Sequence, residues 1–287
     1  MQTRRLGRTD HHSTIAILGG AAFGTADEAS TERGLRQALD AGVNHLDIAP
    51  QYGAAERLVG PHIPAIRDQL FVACKTMRRN ADGVRAQLEE SLTKLHCDSF
   101  DLYQLHAVTT IEDLDARQAA ADVIFKARDE GLVHHVGITG HNMTVPATFN
   151  EALKRHDFDT VMFPVYAGVW ADAGYRAEAE QLIATCQERD LGVMAIKAAA
   201  RRPWSQGADE RFATTWYEPY TDAEQVTRGV RFALSTPGVT AICTPGDLDV
   251  LPLALDAATA FEPMAGAEWQ AAIEAMATEP VIFPIPV

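Results

Sequence analysis

The sequence predicts a single α/β domain over residues 1–287, a (β/α)8 barrel with an N-terminal β-hairpin at its floor. Three observations predict it. Short apolar runs alternate with helical patterns eight times along the chain. The runs recur about every thirty residues, the length of one strand-plus-helix unit. They are apolar throughout rather than alternating, as parallel strands covered by helices are. A chain of 287 residues with 47% apolar and 22% charged residues has the size and composition of one such barrel.

Taken in order, residues 4–17 hold Gly7-Arg8-Thr9-Asp10 as a turn between two short runs, the predicted hairpin. The eight strand candidates are residues 14–18, 44–48, 70–74, 100–105, 133–138, 160–163, 192–196 and 239–243. Between them, Leu35, Ala38 and Leu39 share a face of a helix over 32–41, and Gly42 suits the position after its C-cap. In 80–95, Val84, Leu88, Leu92 and Leu95 form one stripe behind Asn80 as N-cap. A helix over 119–130 ends at Gly131, and further helices are expected over 178–189 and 248–261. Thr221-Asp222-Ala223-Glu224 is a capping-box pattern ahead of Val226, Val230 and Leu234. Residues 198–220, after the seventh strand, have little periodicity. A loop of that length near an active site is either a functional lid or a surface excursion.

Composition excludes several classes of function. A net charge of -14 disfavours nucleic acid and anionic membranes as partners. The first ten residues lack the apolar stretch of a signal peptide, and no apolar run approaches the ~20 residues of a spanning helix. Cys74, Cys97, Cys186 and Cys243 are scattered, which fits neither a disulfide framework nor a zinc site. A cytoplasmic protein acting on a small molecule, without a metal, is expected.

The chemistry gathers at strand ends. Lys75 closes an apolar run, and Lys is rarely buried without a partner. Asp47 ends the second run, Tyr52 follows it, and His106 follows the fourth. On neighbouring parallel strands these four converge on one mouth, where a barrel carries its active site. A cation beside Tyr52 would lower its pKa and make it a usable proton donor. Singly, Asp47 and Lys75 could be a structural ion pair, Tyr52 a packing residue and His106 a satisfied histidine. Their joint placement favours catalysis.

The segment Asp47-Ile-Ala-Pro-Gln-Tyr52-Gly53-Ala-Ala-Glu56-Arg-Leu58-Val-Gly60 resembles the first signature of the aldo-keto reductases. Cys74-Lys75-Thr76, Leu105-His106 and Gly131-Leu-Val-His-His-Val-Gly137-Ile-Thr139 are similar to further sites of that family, in the same order. The resemblance implies an NAD(P)-dependent oxidoreductase interconverting an aldehyde or ketone, possibly a sugar, with its alcohol. Tyr52 would be the general acid/base, Lys75 would tune it, Asp47 would hold Lys75, and His106 would orient the substrate oxygen.

The resemblance also implies an extended dinucleotide across the mouth, without a Rossmann domain, and no GxGxxG follows a strand. Thr139 stands where the family grips the carboxamide, but Gly140 follows and Met162 replaces the sixth-strand glutamine. Tyr166 is the candidate ring to stack on the nicotinamide. Lys197 and Arg201 are the candidate phosphate cations, with Arg202 beside them. Gly246 and Asp247 are expected to open a helix after the eighth strand, whose N-terminal amides would suit a phosphate, and Asp256 falls at the adenine position. Carboxylates at Asp247 and Asp249 would repel a 2′-phosphate, so the expectation shades towards NAD over NADP. Phe23, Trp170, Trp204 and Trp216 are candidate substrate walls. Alternatives are a nucleotide-binding regulatory or redox-sensing barrel with little turnover, and a non-redox isomerase or lyase using the same acid–base residues. Substrate, physiological direction and oligomeric state stay open.

Overall fold

The computed structural model describes residues 1–205 and 215–283. Part of the expected loop over 198–220, residues 206–214, lies outside the described residues. The hairpin forms from β1 (Thr3–Arg5) and β2 (His12–Thr14), paired antiparallel. The barrel strands are β3 (Ala16–Gly19), β4 (His45–Asp47), β5 (Phe71–Thr76), β6 (Phe100–Leu105), β7 (Val133–Thr139), β8 (Thr160–Pro164) and β9 (Gly192–Ile196). After them, β10 (Ala200–Arg202) and β11 (Glu218–Pro219) make a short antiparallel pair, and β12 (Ala241–Cys243) completes the barrel. The barrel is closed in the order β12-β3-β4-β5-β6-β7-β8-β9, with parallel neighbours throughout.

Side-chain alternation along each strand separates two cores. Phe71 and Ala73 of β5 point into the barrel, where Leu6, Ile17, Leu102, Met162, Met194, Ile196 and Ala241 join them. Val72 and Cys74 point outward into the layer between strands and helices. The same period sends Lys75 inward, at the top of the barrel. The floor is plugged by Leu6, which follows β1. Its neighbour Gly7 has φ +51, and a Cβ there would lie 2.4 Å from the Gly192 nitrogen, so the hairpin closes against β9 only with glycine.

Helix starts follow their side-chain acceptors. Asp27 caps Glu28–Asp40 by accepting from the Ser30 N–H, and Asn80 caps Ala81–Lys94 by accepting from the Gly83 N–H. The capping-box reading at Thr221 is one residue early: Asp222 is the N-cap of Ala223–Ser235 and accepts from the Gln225 N–H. Helices Val145–Arg155 and Gly266–Ala275 add to the expected set. Among the described residues no helix is long and apolar enough to cross a membrane.

Candidate active site

The four strand-end residues meet at the C-terminal mouth of the barrel. Asp47 and Lys75 are both almost fully buried, and the Lys75 ammonium donates to Asp47 Oδ2. Asp47 Oδ1 accepts from Gln104 Nε2 at 3.0 Å. Gln104 sits opposite Lys75 in the β5–β6 register, so three inward side chains form one polar layer above the apolar interior. A buried ion pair persists only with such extra hydrogen bonds.

Lys75 Nζ also donates to the Tyr52 hydroxyl at 3.3 Å, and lies 5.1 Å from the centre of its ring. Tyr52 reaches the mouth from the loop after β4. Its neighbour Gly53 has φ +54, and a Cβ there would lie 2.4 Å from the Gly24 carbonyl oxygen. Glycine thus permits the turn that aims Tyr52 back at Lys75. His106 packs edge-on against Tyr52, with ring centres 5.7 Å apart, and its Nδ1 contacts Gln51 Oε1 at 3.3 Å.

Burial dominates the electrostatics. Burial alone would lower the Lys75 pKa, but the Asp47 carboxylate outweighs it and the pKa rises above its ordinary value. Lys75 is thereby held as a cation. Burial pushes the Tyr52 phenol up to about 12, while the Lys75 charge pulls it the other way. The expected net lowering of Tyr52 by Lys75 is therefore not what the structure gives: desolvation wins. His106 is held well below the usual imidazole range by burial and then by Lys75, so it is neutral at neutral pH.

These residues open into a cleft of about 540 Å³. Of the residues expected to hold a cofactor, Lys197 and Gly246 line it, and so does Met162 in the glutamine's place. Thr139 is fully buried, and its hydroxyl accepts from the Ala107 N–H at 3.3 Å. His141 and Asn142, further along the same loop, line the cleft instead. Among the described residues His141 Nδ1 is buried without a hydrogen-bond partner, and its ring lies 5.5 Å from that of His106. Tyr166 is turned away from the cleft into the core, where its hydroxyl accepts from the Ile282 N–H at 3.2 Å. Arg201 is exposed and, with Arg202, pairs with Glu218. Asp247 Oδ1 accepts from the backbone N–H groups of Asp249 and Val250, ahead of helix Leu251–Thr259. Asp256 is exposed on that helix. Phe23 and Trp170 are fully buried packing residues and Trp204 packs on the core, whereas Trp216 lines the cleft, 6.1 Å from Tyr52 between ring centres.

Lys197 has no ion-pair partner among the described residues. Its ammonium lies 4.8 Å from the Tyr217 ring centre and 5.7 Å from that of Trp216. Burial lowers its pKa to about 8. Lys197 and Trp216 both have positive φ, as does Ala107 beside His106. Non-glycine residues held there store strain of the kind that collects at functional sites. Sequence reasoning missed Gln104, although it lies two residues before His106 and hence on the same inward face. It also missed Cys243, whose thiol stands 4.0 Å from Asp47 Oδ2 with its pKa pushed up to about 12 by burial. Among the described residues no group of three or more His, Cys, Asp or Glu is placed to hold a metal ion.

Comparison with known proteins agrees with this geometry. Residues 16–215 match the family model described as "Aldo/keto reductase family". The chain is 30% identical over 153 residues to the aldo-keto reductase YhdN of Bacillus subtilis, covering 48% of this chain and 45% of that protein. It is 32% identical over 162 residues to an NAD/NADP-dependent indole-3-acetaldehyde reductase of Schizosaccharomyces pombe, covering 55% of this chain and 54% of that one. Such matches span about half the length of the curated relatives. The fold superposes on aldo-keto reductase AKR11C1 from Bacillus halodurans with a TM-score of 0.75, at 22% identity and 99% coverage of both chains. A family match over more than half the chain, with an eight-stranded barrel carrying Asp47, Tyr52, Lys75 and His106 at its mouth, shows that this chain belongs to the aldo/keto reductase family.

Proposed function

We propose that the chain is an NAD(P)-dependent oxidoreductase that interconverts an aldehyde or ketone with its alcohol, with Tyr52 as the general acid/base. One observation carries the reading: the Tyr52 hydroxyl lies 3.3 Å from a buried, charge-paired ammonium, beside His106, in an open cleft.

In reduction, the carbonyl oxygen gains negative charge and needs a proton within hydrogen-bond reach. Tyr52 gives its hydroxyl proton to that oxygen, and the Lys75 ammonium stabilises the phenolate left behind. Asp47 and Gln104 keep Lys75 from swinging away. Neutral His106 supplies a second hydrogen bond to the substrate oxygen and orients it. In oxidation, the Tyr52 phenolate takes the alcohol proton.

The bound nicotinamide dinucleotide supplies or accepts the hydride. The donor set fits such an anion: among the described residues, Lys197 faces the cleft without an ion-pair partner, Gly246 lines it after β12, and His141 has a buried nitrogen without a hydrogen-bond partner. Lys197 and Gly246 would hold phosphate, and His141 with Asn142 would take over the carboxamide from the altered Thr139-Gly140 and Met162 positions. Arg201, Tyr166 and Asp256 are left out of these roles. The fixed carboxylate of Asp247 favours NAD over NADP. A small molecule as partner and a cytoplasmic setting complete the reading.

The test is spectral. The purified chain is mixed with NADH or NADPH, binding is followed by fluorescence, and turnover by absorbance with a panel of carbonyl compounds. Reduction of at least one carbonyl, faster with NADH, is expected. Binding without turnover would instead support a sensor, and no binding of either dinucleotide would refute the reading.

A further inference from the structure

We propose that the substrate of this cleft carries an anionic oxygen group, a carboxylate or a phosphate, which Arg79 and Arg117 receive on the wall opposite the cofactor's phosphates. The inference rests on the oxidoreductase reading and narrows its substrate.

Charge bookkeeping within the cleft is the first support. The whole chain is acidic, at -14. The cleft is the reverse. Its charged lining among the described residues is Asp47, Asp113, Arg79, Arg117 and Lys197. Asp47 is cancelled by Lys75 beneath it. Asp113 is shared by two arginines, so one guanidinium charge is left over, and Lys197 adds a second. A protein with a large acidic excess has placed a basic surplus where its ligands enter.

The arginine pair has its own geometry. One oxygen of Asp113 accepts from Arg79 Nη2 at 2.7 Å and from Arg117 Nε at 3.0 Å. Arg117 Nη1 donates to the Met77 carbonyl at 3.3 Å. Arg117 is only 2% exposed, so its surplus charge faces the cleft rather than bulk water. Two guanidinium groups that share one carboxylate keep a net positive charge, which an anion would balance. Arginine's planar fork is suited to carboxylate and phosphate oxygens.

Position separates this wall from the cofactor's. Lys197 and Gly246 follow β9 and β12. Arg79 follows β5, while Asp113, in the helix Ile111–Asp115, and Arg117, which precedes the helix Gln118–Asp129, follow β6, across the mouth in the barrel order. Tyr52 and His106 follow β4 and β6, the strands that flank β5, so the reacting pair lies on the same side of the mouth as this cluster. Arg117 is close enough to help hold the His106 imidazole neutral. A short carbonyl compound with its oxygen at Tyr52 and its acidic end at Arg117 fits this layout.

Two matched pairs test it: succinic semialdehyde against butyraldehyde, and glyceraldehyde 3-phosphate against glyceraldehyde. In at least one pair the anionic member is expected to have a kcat/KM higher by about tenfold or more, the usual size of a charge-assisted contact. The pair with the larger ratio identifies carboxylate or phosphate. Arg79→Gln, at an exposed position that should not disturb folding, is expected to lower that ratio about tenfold, through KM. Ratios at or below one in both pairs, or a ratio unmoved by Arg79→Gln, would overturn the proposal. Calorimetry with succinate and with glycerol 3-phosphate separates the two readings. Arg79-dependent binding in a chain that turns over no carbonyl supports the anion site while refuting the oxidoreductase. Reduction of neutral aldehydes without binding of either anion refutes the anion site alone. Anion binding lost in Lys197→Gln but kept in Arg79→Gln refutes it as well.

Discussion

Lys75 Nζ stands 3.3 Å from the Tyr52 hydroxyl while it bonds to the Asp47 carboxylate, so one buried ammonium serves two oxygens from different segments. Asp47 ends β4, and Tyr52 lies on the loop that follows it. The cation is therefore fixed before any substrate arrives, and the phenol is preorganised against it. The consequence is a division of labour: Asp47 sets the position of the charge, and Tyr52 spends it.

Tyr52→Phe keeps the ring and its contact with His106 but removes the transferable proton. Turnover is expected to fall by about 10²–10⁴-fold, the range for loss of a general acid. Dinucleotide affinity, read by fluorescence titration, should stay close to wild type, because Tyr52 is assigned no part in holding the cofactor. Activity comparable to wild type would remove Tyr52 as the acid.

Lys75→Met leaves the Asp47 carboxylate buried without its cation, facing only the neutral donors Gln104 and the Cys243 thiol among the described residues. Breaking a buried pair in this way costs about 3–5 kcal/mol. A fall of that size in urea-unfolding free energy is expected, together with loss of activity. Asp47→Asn combined with Lys75→Met removes the orphaned charge and should recover most of the stability but none of the activity. If the double variant were as unstable as Lys75→Met, the charge-pair account would fail.

Much of this site was legible because strand period and parallel order act together. Phe71, Ala73 and Lys75 alternate with Val72 and Cys74, so an inward lysine follows from the run itself. Parallel neighbours then bring Asp47 and His106 to the same mouth. What was not legible depends on contacts distant in sequence. Tyr166 reads as a mouth residue from Phe163-Pro164-Val165, yet its hydroxyl is claimed by the Ile282 N–H at the far end of the chain. The Arg79–Asp113–Arg117 cluster joins the segments after β5 and β6, which carry no shared local signal. The pKa of Tyr52 was misjudged for a similar reason: proximity to Lys75 is readable, whereas the depth of burial that outweighs it is a property of the packed barrel.

That depth makes a prediction about pH. A phenol pushed up to about 12 is fully protonated across the neutral range, so the acid needed for reduction is always present. Oxidation needs the phenolate, whose fraction rises tenfold per unit below the pKa. Oxidative kcat/KM is therefore expected to climb with a log slope of about one from pH ~7 to ~10. Reduction should show no inflection near ~6.5, where an unperturbed histidine titrates, because burial and Lys75 keep His106 neutral. A reductive profile that breaks near that pH would show His106 changing charge during the reaction.

Lys197 gives the cofactor end of the cleft its own pH signature. Without an anion beside it, burial lowers its pKa to about 8. A bound phosphate would favour the ammonium and raise that pKa, so the bound form holds the proton more tightly than the free form. Below pH 8 both forms are charged and dinucleotide affinity should be flat. Above it the free lysine loses its proton first, and affinity should fall by up to about tenfold per pH unit until the bound form titrates too. Binding in that window should take up a proton, measurable as a buffer-dependent enthalpy in calorimetry. Lys197→Met should weaken binding at pH 7 and abolish the pH dependence. A wild-type affinity that stays level from pH 7 to 10 would show that the phosphates are held elsewhere on the mouth.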